Sequence, residues 1–113
     1  MAYERLEKSL TKSNIWLYVC KALIDGPKYA YQIVKEVKKK YGVKAATVTI
    51  YVVLSKMERE GLIRSVEGMV GPYRYYELTD HGWKTFLKGL KLIEEKLELL
   101  RGTINAQQTT SER

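Results

Sequence analysis

The sequence predicts a mainly α chain with one small β-hairpin, an α+β arrangement in the order helix, helix, helix, strand, strand, helix. Three observations carry this. Apolar residues recur at three- and four-residue steps through residues 3–24, 29–41, 45–60 and 79–101. The period changes to alternation over 62–66 and 73–78. Glycine or proline marks the breaks between these segments, at Gly26-Pro27, Gly42, Gly61 and the run 67–72.

In the first segment Tyr3, Leu6, Leu10, Leu17, Cys20 and Ile24 share one row, so Cys20 is expected in the core. Ser9, Thr11 and Ser13 each suit a helix N-cap, so residues 3–24 form one helix or two. Between Tyr29 and Tyr41, the residues Ile33, Val34 and Val37 gather on one side, with Lys35, Lys38, Lys39 and Lys40 elsewhere. The third helix, 45–60, stops at Gly61, a residue that favours the turn beyond a helix C-terminus. Strands at 62–66 and 73–78 flank a loop holding two glycines and a proline, which makes a hairpin. Thr79 suits the cap of the last helix, and Asp80 lies where the helix dipole favours negative charge. That helix runs to about 101. Residues 102–113 are polar without apolar periodicity and read as a disordered tail.

Three helices followed by a hairpin is the winged helix-turn-helix arrangement. In it the third helix enters the major groove of DNA and the hairpin touches the flanking backbone. The expected organisation is a winged helix-turn-helix DNA-binding domain at 1–78, a dimerisation helix at 79–101 and the tail at 102–113.

Composition narrows the function. The chain has 113 residues, one cysteine and one histidine, Cys20 and His81, too few ligands for a structural zinc site. The longest uncharged stretch, from Ala45 to Ser55, is shorter than the roughly 20 residues a membrane helix needs. The charged N-terminus does not resemble a secretory signal, so a soluble, cytoplasmic protein is expected, with no membrane partner. No nucleophile–base pair, glycine-rich phosphate loop or metal cluster stands out, so no enzyme and no cofactor is expected. The net charge is +7, of which +6 lies within residues 26–66. A basic excess concentrated on the expected reading element points to double-stranded DNA.

At about 100° per residue, Ile50, Val53, Leu54 and Met57 form the core face of the third helix. Val48, Val52, Ser55 and Arg59 lie opposite. Thr47 and Tyr51 flank them on one side, Thr49 and Lys56 on the other. This face suits a groove, with hydroxyls for phosphates and base edges and valine methyls for thymine methyls. The alternative is that Val48 and Val52 bury against a neighbouring element, with Tyr51 at the rim of the core. Lys28, Lys35, Lys44, Lys56 and Arg74 are the expected phosphate contacts. Arg74 has the alternative of a surface ion pair with Glu67 or Glu77.

In the last helix Trp83, Phe86, Leu90, Ile93, Leu97 and Leu100 follow steps of 3, 4, 3, 4 and 3. That is a coiled-coil seam, expected to pair with its copy or with Leu6 and Leu10 of the partner's first helix. The alternative is packing back on its own domain. Trp83 is a candidate for plain interface packing or for lining a pocket for a small aromatic ligand.

Asp25-Gly26-Pro27-Lys28-Tyr29-Ala30-Tyr31-Gln32-Ile33 resembles the "GPLHGYEI" segment of the PadR family of transcriptional regulators. Thr49-Ile50-Tyr51 with Lys56-Met57-Glu58-Arg59-Glu60-Gly61-Leu62-Ile63 is similar to that family's "TLYPLLKRLEKEGLI". Tyr75-Tyr76-Glu77-Leu78-Thr79-Asp80-His81-Gly82 is similar to "YYRLTEEG". The last two motifs recur in other winged-helix families, while the first is more particular to PadR. The resemblance covers residues from about 10 to 100. The chain departs from the pattern at Tyr29-Ala30 (His-Gly in the family), Thr47-Val48 (Pro-Gly) and Val52 (Pro), and its wing lacks a run of basic residues. The resemblance implies a homodimeric DNA-binding repressor of the compact subfamily, some of whose members take aromatic effectors between subunits.

The expectation is therefore a homodimeric transcriptional regulator reading a near-palindromic operator with the helix at about 45–60. The alternatives are a sequence-tolerant DNA-coating protein and a winged helix used only for protein contact.

Overall fold

The structure is a computed structural model and describes residues 1–67, 71 and 73–111, with the side chains of 103–111 excepted. Gly68, Met69, Val70 and Pro72, the centre of the expected hairpin loop, lie outside the described residues.

The first segment is two helices, α1 (Ala2–Leu10) and α2 (Ile15–Leu23), separated by a 3-10 turn at Lys12–Asn14. The hydroxyl of Thr11 donates to the Glu7 carbonyl at 2.7 Å and the amide of Asn14 to the Ser9 carbonyl at 2.6 Å. These local bonds compete with the continuing helix and break it there. The two halves differ in burial. α2 buries Ile15, Val19, Cys20, Ala22 and Leu23, whereas α1 buries none of its residues.

After the turn at Gly26 comes a short strand, β1 (Lys28–Tyr29), then α3 (Ala30–Lys35). α3 widens into a π-helical turn over Glu36–Lys40, where the Tyr41 N–H donates to the Glu36 carbonyl at 3.1 Å. Gly42, with φ +67°, ends this segment. α4 (Thr47–Arg59) is followed by Gly61 at φ +77°, then β2 (Ile63–Val66), β3 (Tyr75–Leu78) and α5 (Asp80–Ser111). α5 passes Arg101, the end the sequence suggests, because the polar residues beyond it include no proline to stop a helix.

The sheet has three strands in the order β1-β3-β2, all antiparallel. Lys28 pairs with Tyr76, and Arg64 lies opposite Glu77. The hairpin of the expected wing is thus joined by a third strand that sequence periodicity does not reveal. The core lies where α2, α3 and α4 meet the sheet. Ile33, Ile50, Leu54, Met57 and Ile63 are its largest fully buried side chains. Phe86 brings α5 into the same cluster. Among the described residues no helix is long and apolar enough to cross a membrane.

Candidate nucleic-acid interface

α4 is anchored from one side only. Ile50, Leu54 and Met57 are buried and Val53 packs on the core as a partly buried residue. The rest of the helix surface is open. Val48 is 67% exposed and Val52 50%, so neither buries against a neighbouring element. Thr47, Thr49, Ser55, Lys56 and Arg59 are exposed with them, and Tyr51 is 39% exposed. One face therefore offers methyls, hydroxyls, a phenol and a guanidinium together.

Lysines are exposed on the segments before α4, with Lys35 over the Tyr31 ring and Lys40 over the Tyr41 ring. Lys35 and Lys44 are exposed, as is Lys38, whose Nζ donates to the Thr47 hydroxyl at 3.2 Å. Lys39 and Lys40, on the π-helical turn, are exposed too. Lys28 differs from the expectation. Its ammonium is paired with Glu36 and both side chains are largely covered, because β1 adds to the sheet and carries Lys28 onto the π-helical turn. Its charge is already paired within the chain.

Arg74 is exposed at the sheet end and meets Glu58 at 3.8 Å, rather than Glu67 or Glu77. Tyr76 first, then the charge of Glu58, hold its pKa above the usual arginine value. Glu77 is taken by Arg64, Nε to Oε2 at 2.5 Å.

The seam residues of α5 divide. Trp83, Leu90, Ile93, Leu97 and Leu100 are exposed, as are Leu6 and Leu10 on α1. Phe86 differs, being packed within its own chain at the base of the α5–α2 groove. It is 5% exposed, because the first turns of α5 pack on their own domain and Phe86 points into that contact. Trp83, Leu90 and Ile93 line an apolar groove of about 640 Å³ between α5 and α2, with Leu10, Leu17, Tyr18, Ile24 and Tyr41. Among the described residues no group of acidic, histidine or cysteine side chains is placed to hold a metal ion.

A third helix with an open mixed face, on a helix-turn-helix with a sheet beside it, is the arrangement of DNA-binding regulators. Residues 19–89 match the transcriptional regulator PadR-like family, and the chain belongs to that family. Solved structures agree. A PadR family transcription regulator from Clostridium difficile R20291 is 28% identical, with a TM-score of 0.61 over 80% of this chain and 97% of that one. A PadR family regulator from Eggerthella lenta is 25% identical, with a TM-score of 0.62 over 98% and 99%. Bacillus subtilis PadR, solved in complex with operator DNA, is 26% identical, with a TM-score of 0.60 over 67% of this chain and 45% of that one. A search of curated proteins finds no match.

Proposed function

We propose that the protein is a homodimeric repressor that reads a near-palindromic operator with the exposed face of α4. The observation that carries this is the pair Val48 and Val52, 67% and 50% exposed one turn apart on that helix. Branched apolar side chains left in water gain nothing for folding, whereas a major groove offers thymine methyls to cover them. Thr47, Thr49, Tyr51, Ser55 and Arg59 supply hydrogen-bonding groups around them. Lys35, Lys44, Lys56 and Arg74 bind phosphates, which position the helix without selecting sequence. The second half of the proposal rests on Leu90, Ile93, Leu97 and Leu100, exposed along α5 with Leu6 and Leu10 on α1. Pairing of two copies through these residues sets two reading helices about one DNA turn apart. The groove beside Trp83 is the seat for a flat aromatic effector.

The test is Val52→Asp. The variant is expected to keep its helical circular dichroism and to lose operator binding. Binding at wild-type strength would mean that this face does not read DNA. Competition by random duplex separates a regulator, which prefers its operator by about 10³ or more, from a sequence-tolerant coating protein.

A further inference from the structure

We propose that the cleft between α1 and the start of α4 extends the DNA-backbone contact of Lys44 to Lys8 and Lys12, and holds a phosphodiester beside the reading face. This rests on the DNA-binding reading above. Lys8 from α1, Lys12 from the 3-10 turn, Lys38 from the π-helical turn and Lys44 from the segment before α4 line one open cleft of about 690 Å³. Four segments of the chain thus bring lysines to the border of one cleft, with the Lys38 ammonium held on the Thr47 hydroxyl at 3.2 Å. Among the described residues none of the four is in an ion pair. Like charges gathered in a cleft repel one another and focus a positive field, and an anion relieves both.

The chemistry of the lining selects the anion. Val43, Ala45 and Ala46 also line it, and the two alanines are small enough for a phosphate to approach the N-terminal end of α4, where backbone N–H groups and the helix dipole favour negative charge. No aromatic residue lines the cleft, so it has no wall on which to stack the base of a free nucleotide. No carboxylate lines it either. Glu4 and Glu7 line the adjoining cleft, which Lys8, Lys12 and Lys44 also border; the Glu4 carboxylate is held by the Met1 ammonium, and Glu7 offsets part of the positive field.

Position selects the backbone of DNA over a free phosphate ion. Thr49, on a flank of α4, lines the same cleft, and Lys12 also lines the next one, with Lys56 of α4. Lys8, Lys12 and Lys56 thus form a row along two neighbouring clefts that border α4, the second of which also holds Glu60. A strand running past α4 passes this row. Residues of α1 are absent from the expected phosphate contacts because nothing in the sequence pattern reports that α1 folds back beside the start of α4.

The experiment measures duplex affinity against salt for wild type, Lys8→Gln/Lys12→Gln and Lys8→Arg/Lys12→Arg. Both positions are exposed, and thermal melting checks that each variant folds. The glutamine pair is expected to weaken operator and random DNA alike, by on the order of tenfold at physiological salt. Its log–log salt slope should be shallower by about 1 for each lysine lost per protomer. The arginine pair should bind as wild type does. Unchanged affinity and slope in the glutamine pair, beside a wild type that binds, overturns the cleft and leaves the reading face standing. A wild type that binds no duplex overturns the DNA reading as a whole. Inorganic phosphate that binds saturably without DNA, and loses that binding in the glutamine pair, assigns the cleft to a free anion and overturns the proposal.

Discussion

Gly82 lies so close to Leu62 that a Cβ built on it would stand 2.1 Å from the Leu62 carbonyl oxygen. The first turn of α5 is thereby pressed against the turn that joins α4 to β2. Backbone cannot yield as a flexible side chain can, so Gly82→Ala must push α5 away from the turn that joins α4 to β2. Overpacking of this kind costs roughly 1–3 kcal/mol. A lowered urea midpoint checks this, with Gly102→Ala as the control. Gly102 has nothing within 4 Å, and alanine there should stabilise the helix by up to about 1 kcal/mol.

Thr79 fastens the same junction. Its hydroxyl donates to the Gly61 carbonyl at 2.5 Å and accepts from the Gly82 N–H at 2.9 Å. One oxygen thus caps α5 and ties it to the end of α4. Thr79→Ala is expected to cost about 1 kcal/mol, and Thr79→Ser, which keeps the hydroxyl, much less. Equal losses in thermal melting for the two variants would assign the effect to the methyl instead.

Periodicity made the division of α4 legible, because one buried row at helical spacing leaves the opposite face determined. The same reasoning expects Phe86 on a dimer seam, whereas in the single chain it is buried in the core. Its heptad row is genuine, but Gly82, Phe86 and Gly89 form a second row at steps of 4 and 3 that lies against the chain's own domain. Small residues let α5 approach Leu62 and Trp16, and a search for apolar side chains passes over glycine. β1 was hidden because two residues have no period of their own, and only pairing with β3 makes Lys28 and Tyr29 a strand. That pairing is also why Lys28 could not be recognised as an ion-paired residue.

Two lysines with the same formal charge should therefore behave differently. Lys28 is held by Glu36 and mostly covered, while Lys56 is exposed on α4. Lys28→Gln is expected to lower stability and leave the salt slope of DNA binding unchanged. Lys56→Gln is expected to leave stability unchanged and reduce the slope by about 1 per protomer. A reversed pattern would return Lys28 to the phosphate contacts.

Leu90 and Leu97 test the proposed dimer without touching the core, since each is more than two-fifths exposed in the single chain. Leu97→Glu should leave the monomer fold intact, as read by circular dichroism. At micromolar concentration, light scattering should move from the dimer mass to about the 13.1 kDa of one chain. A dimer that survives both Leu90→Glu and Leu97→Glu would exclude the seam on α5.

Cys20 supplies a pH test of the core. It is fully buried on α2, and burial pushes its thiol from 9.0 up to about 12. Well below pH 9 the thiol is almost wholly protonated in both folded and unfolded chains and contributes little pH dependence. Between 9 and 12 the unfolded chain releases its proton while the folded chain holds it, so rising pH favours unfolding. Other groups ionise in the same range, which makes the difference from Cys20→Ala the informative quantity. Wild type should lose stability relative to Cys20→Ala as pH rises above 9. At pH 8 the thiolate that attacks a disulfide reagent forms only when the chain opens. Labelling should therefore be slow in the folded protein and fast in urea. Fast labelling of the folded protein would mean that α2 opens to solvent far more readily than its packing implies.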